Sequence, residues 1–244
     1  DVSTEISFPQ RAAWGVSPSK PWLADSINAW SAQESPRRER ASLLRRYYEL
    51  SKNEPTLYTI SFAGGKMSPF DALFRRYARS IGWDWRLLAS QGYAESRFDS
   101  TRVSWAGARG VMQIMPATAR AQGLPADSIT HNASNIATAV KVIASLDRSL
   151  SRYVSDREER KKFVIAAYNS GLAHVIDAIK LAGRLGVDST RWDGCVAQTL
   201  LLKSNPEYYN NPVVKYGYFR GRQTTEYVKT VYLCYDKAKK QIPR

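Results

Sequence analysis

The chain has 244 residues, 43% of them hydrophobic, with 7 Trp, 14 Tyr and 7 Phe. That is too apolar for a disordered chain and ample for a packed core, and no run of about 18 apolar residues offers a membrane span. The formal net charge of +14 favours anionic partners such as a cell-wall polymer, a membrane surface or nucleic acid, but the basic residues are dispersed and no nucleic-acid motif accompanies them. Two Cys and two His, widely separated, do not make a metal site, so no cofactor is expected. The first residue is Asp1, which points to a processed or cut product, with room for a signal or lipid anchor in the missing piece.

Residues 1–60 read as a short α/β segment. Arg11–Val16 is extended, and a helical pattern with Leu23, Ile27 and Trp30 follows Pro18 and Pro21. Leu43, Leu44, Tyr47 and Tyr48 continue it. Such a segment is too short to hold a core alone. It reads as the end of a larger domain or as a strap on the next one. A polar connector, Ser51–Pro55, and the pair Gly64–Gly65 separate it from residues 68–244.

The second part reads as helix after helix. Ser68-Pro69-Phe70-Asp71 predicts a helix start, with Ser as N-cap and Pro at the first position. Gly82 predicts its stop. Asp84 predicts the cap of a helix carrying Leu87, Leu88, Gln91 and Glu95. Pro116 opens a short helix that Gly123 closes. Longer helices are predicted over 135–153, 163–180 and 226–239, with a loop-and-helix excursion between 188 and 211.

Glu95 is the residue that could do chemistry. Its offsets from Leu88 and Gly92 put it near the apolar side of its helix. There the charged carboxylate is disfavoured, as a general acid near neutral pH requires. The alternative is a helix-end acid paired with Arg97. Ser104, Gly107, Gly110 and Gln113 follow, with glycines that allow close backbone approach and an amide suited to a sugar. Tyr168 and Asn169 then place a phenol beside an amide. Asp99, at the expected helix end, reads as a turn residue rather than a second acid. Of Trp83, Trp85, Trp105, Tyr216, Tyr218 and Phe219, most are expected in the core. Trp105, beside Ser104 in the glycine-containing loop, is the best sugar-stacking candidate.

Three blocks in this order and spacing, Glu95-Ser96, Gly110-Val111-Met112-Gln113-Ile114-Met115-Pro116 and Ala167-Tyr168-Asn169, resemble the soluble-type lytic transglycosylase family, which is related to goose-type lysozyme. The segment Lys215–Gly221 followed by Glu226-Tyr227-Val228 is most similar to its membrane-bound F-type branch. There a periplasmic solute-binding-type domain precedes the catalytic module, and Ala13-Trp14-Gly15-Val16, Trp30 and Tyr47-Tyr48 resemble the end of such a domain.

The resemblance implies a mainly α, lysozyme-like fold with a substrate groove. It implies cleavage of the β-1,4 bond between N-acetylmuramic acid and N-acetylglucosamine in peptidoglycan, leaving 1,6-anhydro ends. Glu95 would be acid and then base. Ser104, Gln113, Met115, Tyr168, Asn169 and Tyr227 would contact substrate or flank the acid. Gln223 departs from the family pattern, which often has an acid there. A hydrolase of goose-lysozyme type and a non-catalytic peptidoglycan-binding protein remain alternatives at the level of sequence. The substrate implies a periplasmic location, with attachment to the outer membrane, if at all, through a region preceding Asp1; a monomer is expected. From the residues alone, Cys195 and Cys234 form either one disulfide or two buried thiols. Export favours the bridge.

Overall fold

A computed structural model describes residues 16–33 and 62–243. By contact the chain divides into two compact units, residues 1–58 and 59–244. In the first unit the described element is helix α1, Pro21–Ala32, with Pro21 at its first turn. Residues 11–15 of the extended stretch expected over Arg11–Val16, and the helical residues 43–48, lie outside the described residues.

In the second unit the described residues fold as helices. In chain order they are α2 (Asp71–Ala78), α3 (Trp85–Ser96), α4 (Pro116–Ala121), α5 (Asn132–Leu150), α6 (Arg157–Ser170), α7 (Leu172–Arg184), α8 (Ala197–Leu202), α9 (Pro206–Tyr209) and α10 (Gly221–Gln241). Among the described residues extended pairing is confined to two isolated bridges, Val103 with Arg109 and Arg109 with Ile114. The mainly α expectation therefore holds.

Local sequence accounts for most boundaries. The predicted Ser68 cap is displaced. Helix α2 begins three residues later, at Asp71, whose carboxylate accepts from the backbone N–H of Met67 and Ser68 and from Ser68 Oγ, at 2.7–2.9 Å. A carboxylate satisfies more donors there than a hydroxyl could, and Pro69 supplies no N–H of its own. Gly82 ends the following turn at φ 67°, and Asp84 caps α3 through the Arg86 N–H. The helix predicted over 163–180 is two helices. Gly171, at φ 87° and ψ 141°, breaks α6 from α7. The apolar pattern runs straight across that break, which hides it from periodicity.

Helix α3 is the centre of the unit. Its residues from Trp85 to Gly92 are buried, as expected for a helix with neighbours on every side. Helix α10 packs along it, and also against α6 and α8, while α2 covers another face. Close packing requires Gly92, where a Cβ would lie 2.9 Å from Phe74 Cζ and 3.1 Å from Met112 Sδ. Polar ties fix the same crossing. The Arg86 guanidinium pairs with Asp84 and donates to the Ile242 carbonyl at 2.6 Å, joining the start of α3 to the end of α10.

The expected Cys195–Cys234 bridge is not formed; both are free thiols. Cys234 is buried on α10 with its sulfur toward Ser90 of α3, and burial pushes its thiol up to about 11. Cys195 sits half-buried in the turn 192–196 before α8. The helix phase that packs α10 on α3 turns Cys234 to that interface.

A second polar anchor lies between α7 and α8. Lys203 Nζ, fully buried, donates to Asp177 Oδ2 at 2.9 Å and contacts His174 Nδ1 at 3.1 Å. Asp177 also accepts from the N–H groups of Lys215 and Tyr216 at 3.0 and 2.9 Å. These bonds hold Asp177 below the usual carboxylate range against the opposing effect of burial. Removing one member of a buried pair strands the other charge, at a cost of about 3–5 kcal/mol. Lys203→Met is therefore expected to lower the melting temperature by roughly 10 °C. Scanning calorimetry showing a change under about 2 °C would contradict this account of the anchor.

Candidate active site

Glu95 lies in the last turn of α3 and is half-buried. Its Oε1 accepts a 2.5 Å hydrogen bond from the hydroxyl of Tyr227 on α10, 132 residues away. Desolvation raises the Glu95 carboxyl to about 7; the Tyr227 hydrogen bond and the Arg102 charge work in the opposite direction and only partly offset it. Tyr168 of α6 donates to the Met112 carbonyl at 2.8 Å. Both phenols are held well above the ordinary tyrosine value, first by burial and then by the Glu95 charge. Both stay protonated near neutral pH and act there as donors.

The backbone after Glu95 reverses sharply. Arg97 and Phe98 both have positive φ, at 57° and 66°. Successive left-handed residues other than glycine carry strain that the surroundings must hold. Ser96 Oγ, buried, donates to the Val111 carbonyl at 2.8 Å and ties the helix end to the following loop. Asp99 is exposed and accepts from the N–H and hydroxyl of Thr101, at 2.8 and 2.7 Å. It is a turn residue, as its position suggests.

The loop from 101 to 115 carries four of the expected site residues. Ser104 Oγ accepts from the Ala108 N–H at 3.0 Å, so the hydroxyl shapes its own turn. Gln113, at φ 47°, donates from Nε2 to the carbonyls of Arg102 and Gly110 at 3.1 and 2.9 Å. Trp105 is 85% exposed and Met115 39% exposed. Asn135, fully buried at the start of α5, holds the loop from below. It accepts from the Met112 N–H at 2.7 Å and donates to the carbonyls of Arg109 and Ile129. Gly110 is required for that clamp, since a Cβ there would lie 2.6 Å from Asn135 Nδ2 and its φ is 78°.

The expected residues divide accordingly. Tyr227 and Tyr168 converge on Glu95. Asn169, the neighbour of Tyr168, accepts from Thr224 Oγ1 at 2.9 Å and so joins α6 to α10 one turn before Tyr227. Ser104, Trp105, Gln113 and Met115 share the loop. Trp83 and Trp85 are core residues at 7% and 5% exposure, and Phe219 stacks on His174 at 4.2 Å. Tyr216 and Tyr218 are exposed. Arg102, Thr224 and Asn135 were not singled out by sequence. Thr224 and Tyr227 are spaced three apart on one helix face, which is the local signal that could have found the first of them. Among the described residues no group of three or more His, Cys, Asp and Glu side chains could hold a metal.

Residues 72–189 match the family model described as "Transglycosylase SLT domain". A protein of Desulfosudis oleivorans named membrane-bound lytic murein transglycosylase F is 29% identical across 97% of this chain and 52% of its own length. Proteins of the same name from Maricaulis maris and Stutzerimonas stutzeri are 34% and 35% identical over 68% and 70% of the chain, and 35% and 34% of their own lengths. The chain thus spans between about a third and a half of these relatives. A solved structure of an inactive mutant of the lytic transglycosylase Slt from Pseudomonas aeruginosa aligns over 82% of the chain and 30% of its own, at 20% identity and a TM-score of 0.49.

The raised Glu95 carboxyl has a thermodynamic consequence. Between its ordinary value of 4.5 and about 7, the folded state binds the proton more tightly than the unfolded one. Stability therefore falls as pH rises through that window, by up to about 3 kcal/mol. Glu95→Gln removes the penalty. Its melting temperature is expected to exceed the parent's by several degrees at pH 8 and to match it at pH 4. Equal melting temperatures at both pH values would mean that Glu95 is not desolvated.

Proposed function

We propose that the chain, whose residues 72–189 match the transglycosylase SLT domain model, is a peptidoglycan lytic transglycosylase with Glu95 as its one catalytic carboxyl. It cleaves the β-1,4 bond between N-acetylmuramic acid and N-acetylglucosamine and leaves a 1,6-anhydro-muramic end. The observation that carries this reading is a half-buried glutamate with a carboxyl near 7, bonded to a neutral tyrosine, with Arg102 as the charged side chain that acts on it.

Protonated Glu95 gives its proton to the glycosidic oxygen as the bond from C1 to that oxygen breaks. Positive charge then develops at C1 of the muramic ring. Two-carboxylate glycosidases meet that charge, or activate water, with a second acid about 5–10 Å away. Asp99, the nearest acid in sequence, is exposed and engaged by Thr101. The substrate's own N-acetyl oxygen is left to stabilise C1. The carboxylate now on Glu95 takes the proton from the C6 hydroxyl, and that oxygen closes on C1. The proton gained restores the acid, and no water is consumed. Tyr227 and Tyr168 hold the carboxyl and the loop in place, and Ser104, Gln113, Met115 and Asn169 line the path of the glycan. Trp105 offers a ring face to a sugar.

Residues 1–60 are read as the end of a solute-binding-type domain, a segment into which the Desulfosudis match, running over 97% of the chain, extends. The substrate lies outside the cytoplasmic membrane, and the relatives' name includes "membrane-bound". Periplasmic action follows as part of the proposal; attachment to the outer membrane, if any, would run through a region outside this chain. The protein acts as a monomer. Among the described residues no helix is long and apolar enough to cross a membrane.

Digestion of purified peptidoglycan followed by mass spectrometry is expected to yield anhydro-muropeptides, each one water lighter than a hydrolysis product. Glu95→Gln is expected to abolish them. Reducing ends would transfer the chain to the hydrolases, and a tenth of parental turnover in Glu95→Gln would dismiss Glu95 as the acid. Trp105→Ala is expected to weaken binding of N-acetylglucosamine-containing oligosaccharides roughly five- to tenfold, the scale of one aromatic contact. Calorimetric titration beside a thermal melt checks this; a lowered melting temperature with affinity unchanged would make Trp105 a packing residue.

A further inference from the structure

Gln91 stands one turn before Glu95 on α3 and is fully buried. Neither its amide nitrogen nor its oxygen closes a hydrogen bond within the protein. A buried amide left in that state costs about 1–3 kcal/mol, whereas Met or Leu would fill the same space without the penalty. The position of the amide suggests what the cost accompanies. The amide acts on the Tyr227 hydroxyl and favours the ionised phenol, the effect of an N–H directed at the phenol oxygen. That same hydroxyl donates to Glu95 Oε1.

We infer that Gln91 is a positioning residue, presenting an N–H to the Tyr227 oxygen so that the Tyr227 proton stays directed at the Glu95 carboxylate. Three groups then stand in a row across the crossing of α3 and α10: amide, phenol and carboxyl. A donor on the phenol oxygen polarises its O–H and strengthens the bond that O–H makes to the carboxylate. The groups that act on Glu95 are Tyr227 from α10 and Arg102 from the loop, and the Glu95 charge in turn raises Tyr168 from α6. Gln91 acts through the first of these. The inference rests on Glu95 being the acid, but its readout does not.

The test is a carbon-13 titration of the glutamate carboxyls in the whole chain, with the Glu95 signal assigned by its loss in Glu95→Gln. In Gln91→Met the Glu95 midpoint is expected to rise by about 0.5 pH unit, because the Tyr227 donor is weakened. The alkaline limb of the kcat/KM profile should move with it. In a Tyr227→Phe background, Gln91→Met should produce no further shift, since the phenol oxygen that carries the effect is gone. Gln91→Leu serves the same purpose should the Met variant fold poorly. An unchanged midpoint in Gln91→Met, or an equal shift in the Tyr227→Phe background, would overturn the inference. Activity surviving in Glu95→Gln would instead overturn the assignment of the acid, while the titration would still decide what Gln91 does.

Discussion

The bond from Tyr227 to Glu95 is the contact on which the candidate site turns. It joins two helices that have no sequence proximity, and it exists only while α10 lies along α3. The packing of that pair is therefore also the construction of the site. Gly92 lets Phe74 and Met112 close on α3, and the Arg86 link to Ile242 fixes where α10 ends. A shift of about 1 Å between the helices would leave the core apolar and nearly as stable, yet would separate the phenol from the carboxyl. Cores tolerate such repacking better than catalytic geometry does.

Two opposed effects set the state of the carboxyl. Burial disfavours its charge, and the phenol and Arg102 favour it. Burial alone would produce an acid too weak to release its proton at neutral pH. Full solvation would produce a carboxylate with no proton to give. The surrounding loop is built to hold this balance in place. Arg97 and Phe98 reverse the chain at once, Ser96 fastens the helix end to Val111, and Asn135 fastens the loop from underneath. The strain of two left-handed residues is tolerated because these bonds leave the chain no other route.

Much of this was legible in the sequence. Asp84, Gly82 and Pro116 mark boundaries through local backbone chemistry that tertiary contacts do not alter. Glu95 was legible as an acid on an apolar face, because helical phase alone puts it there. The break at Gly171 was not, since the apolar stripe continues in register on both sides. Nor was the partner of Glu95, because Arg97 is adjacent in sequence while Tyr227 is 132 residues distant. Family resemblance pointed to Tyr227; no property of the local sequence could. The expected disulfide failed for a related reason. Compartment and cysteine count say nothing of helix phase, and phase turns Cys234 toward Ser90.

A carboxyl near 7 also bears on why one acid can be enough. In the proposed reaction the same group must give a proton to one oxygen and then take one from another within a single turnover. An acid of ordinary strength would do the second step poorly as a weak base, and a very weak acid would do the first step poorly. Matching the group to the working pH minimises the worse of the two barriers. A two-carboxylate site avoids the compromise by dividing the roles between groups of different strength. Here the division is in time, and the environment of Glu95 has to serve both halves. The neutral phenol suits that demand. It can donate to the carboxylate after the first transfer and adds no fixed charge that would commit the group to one state.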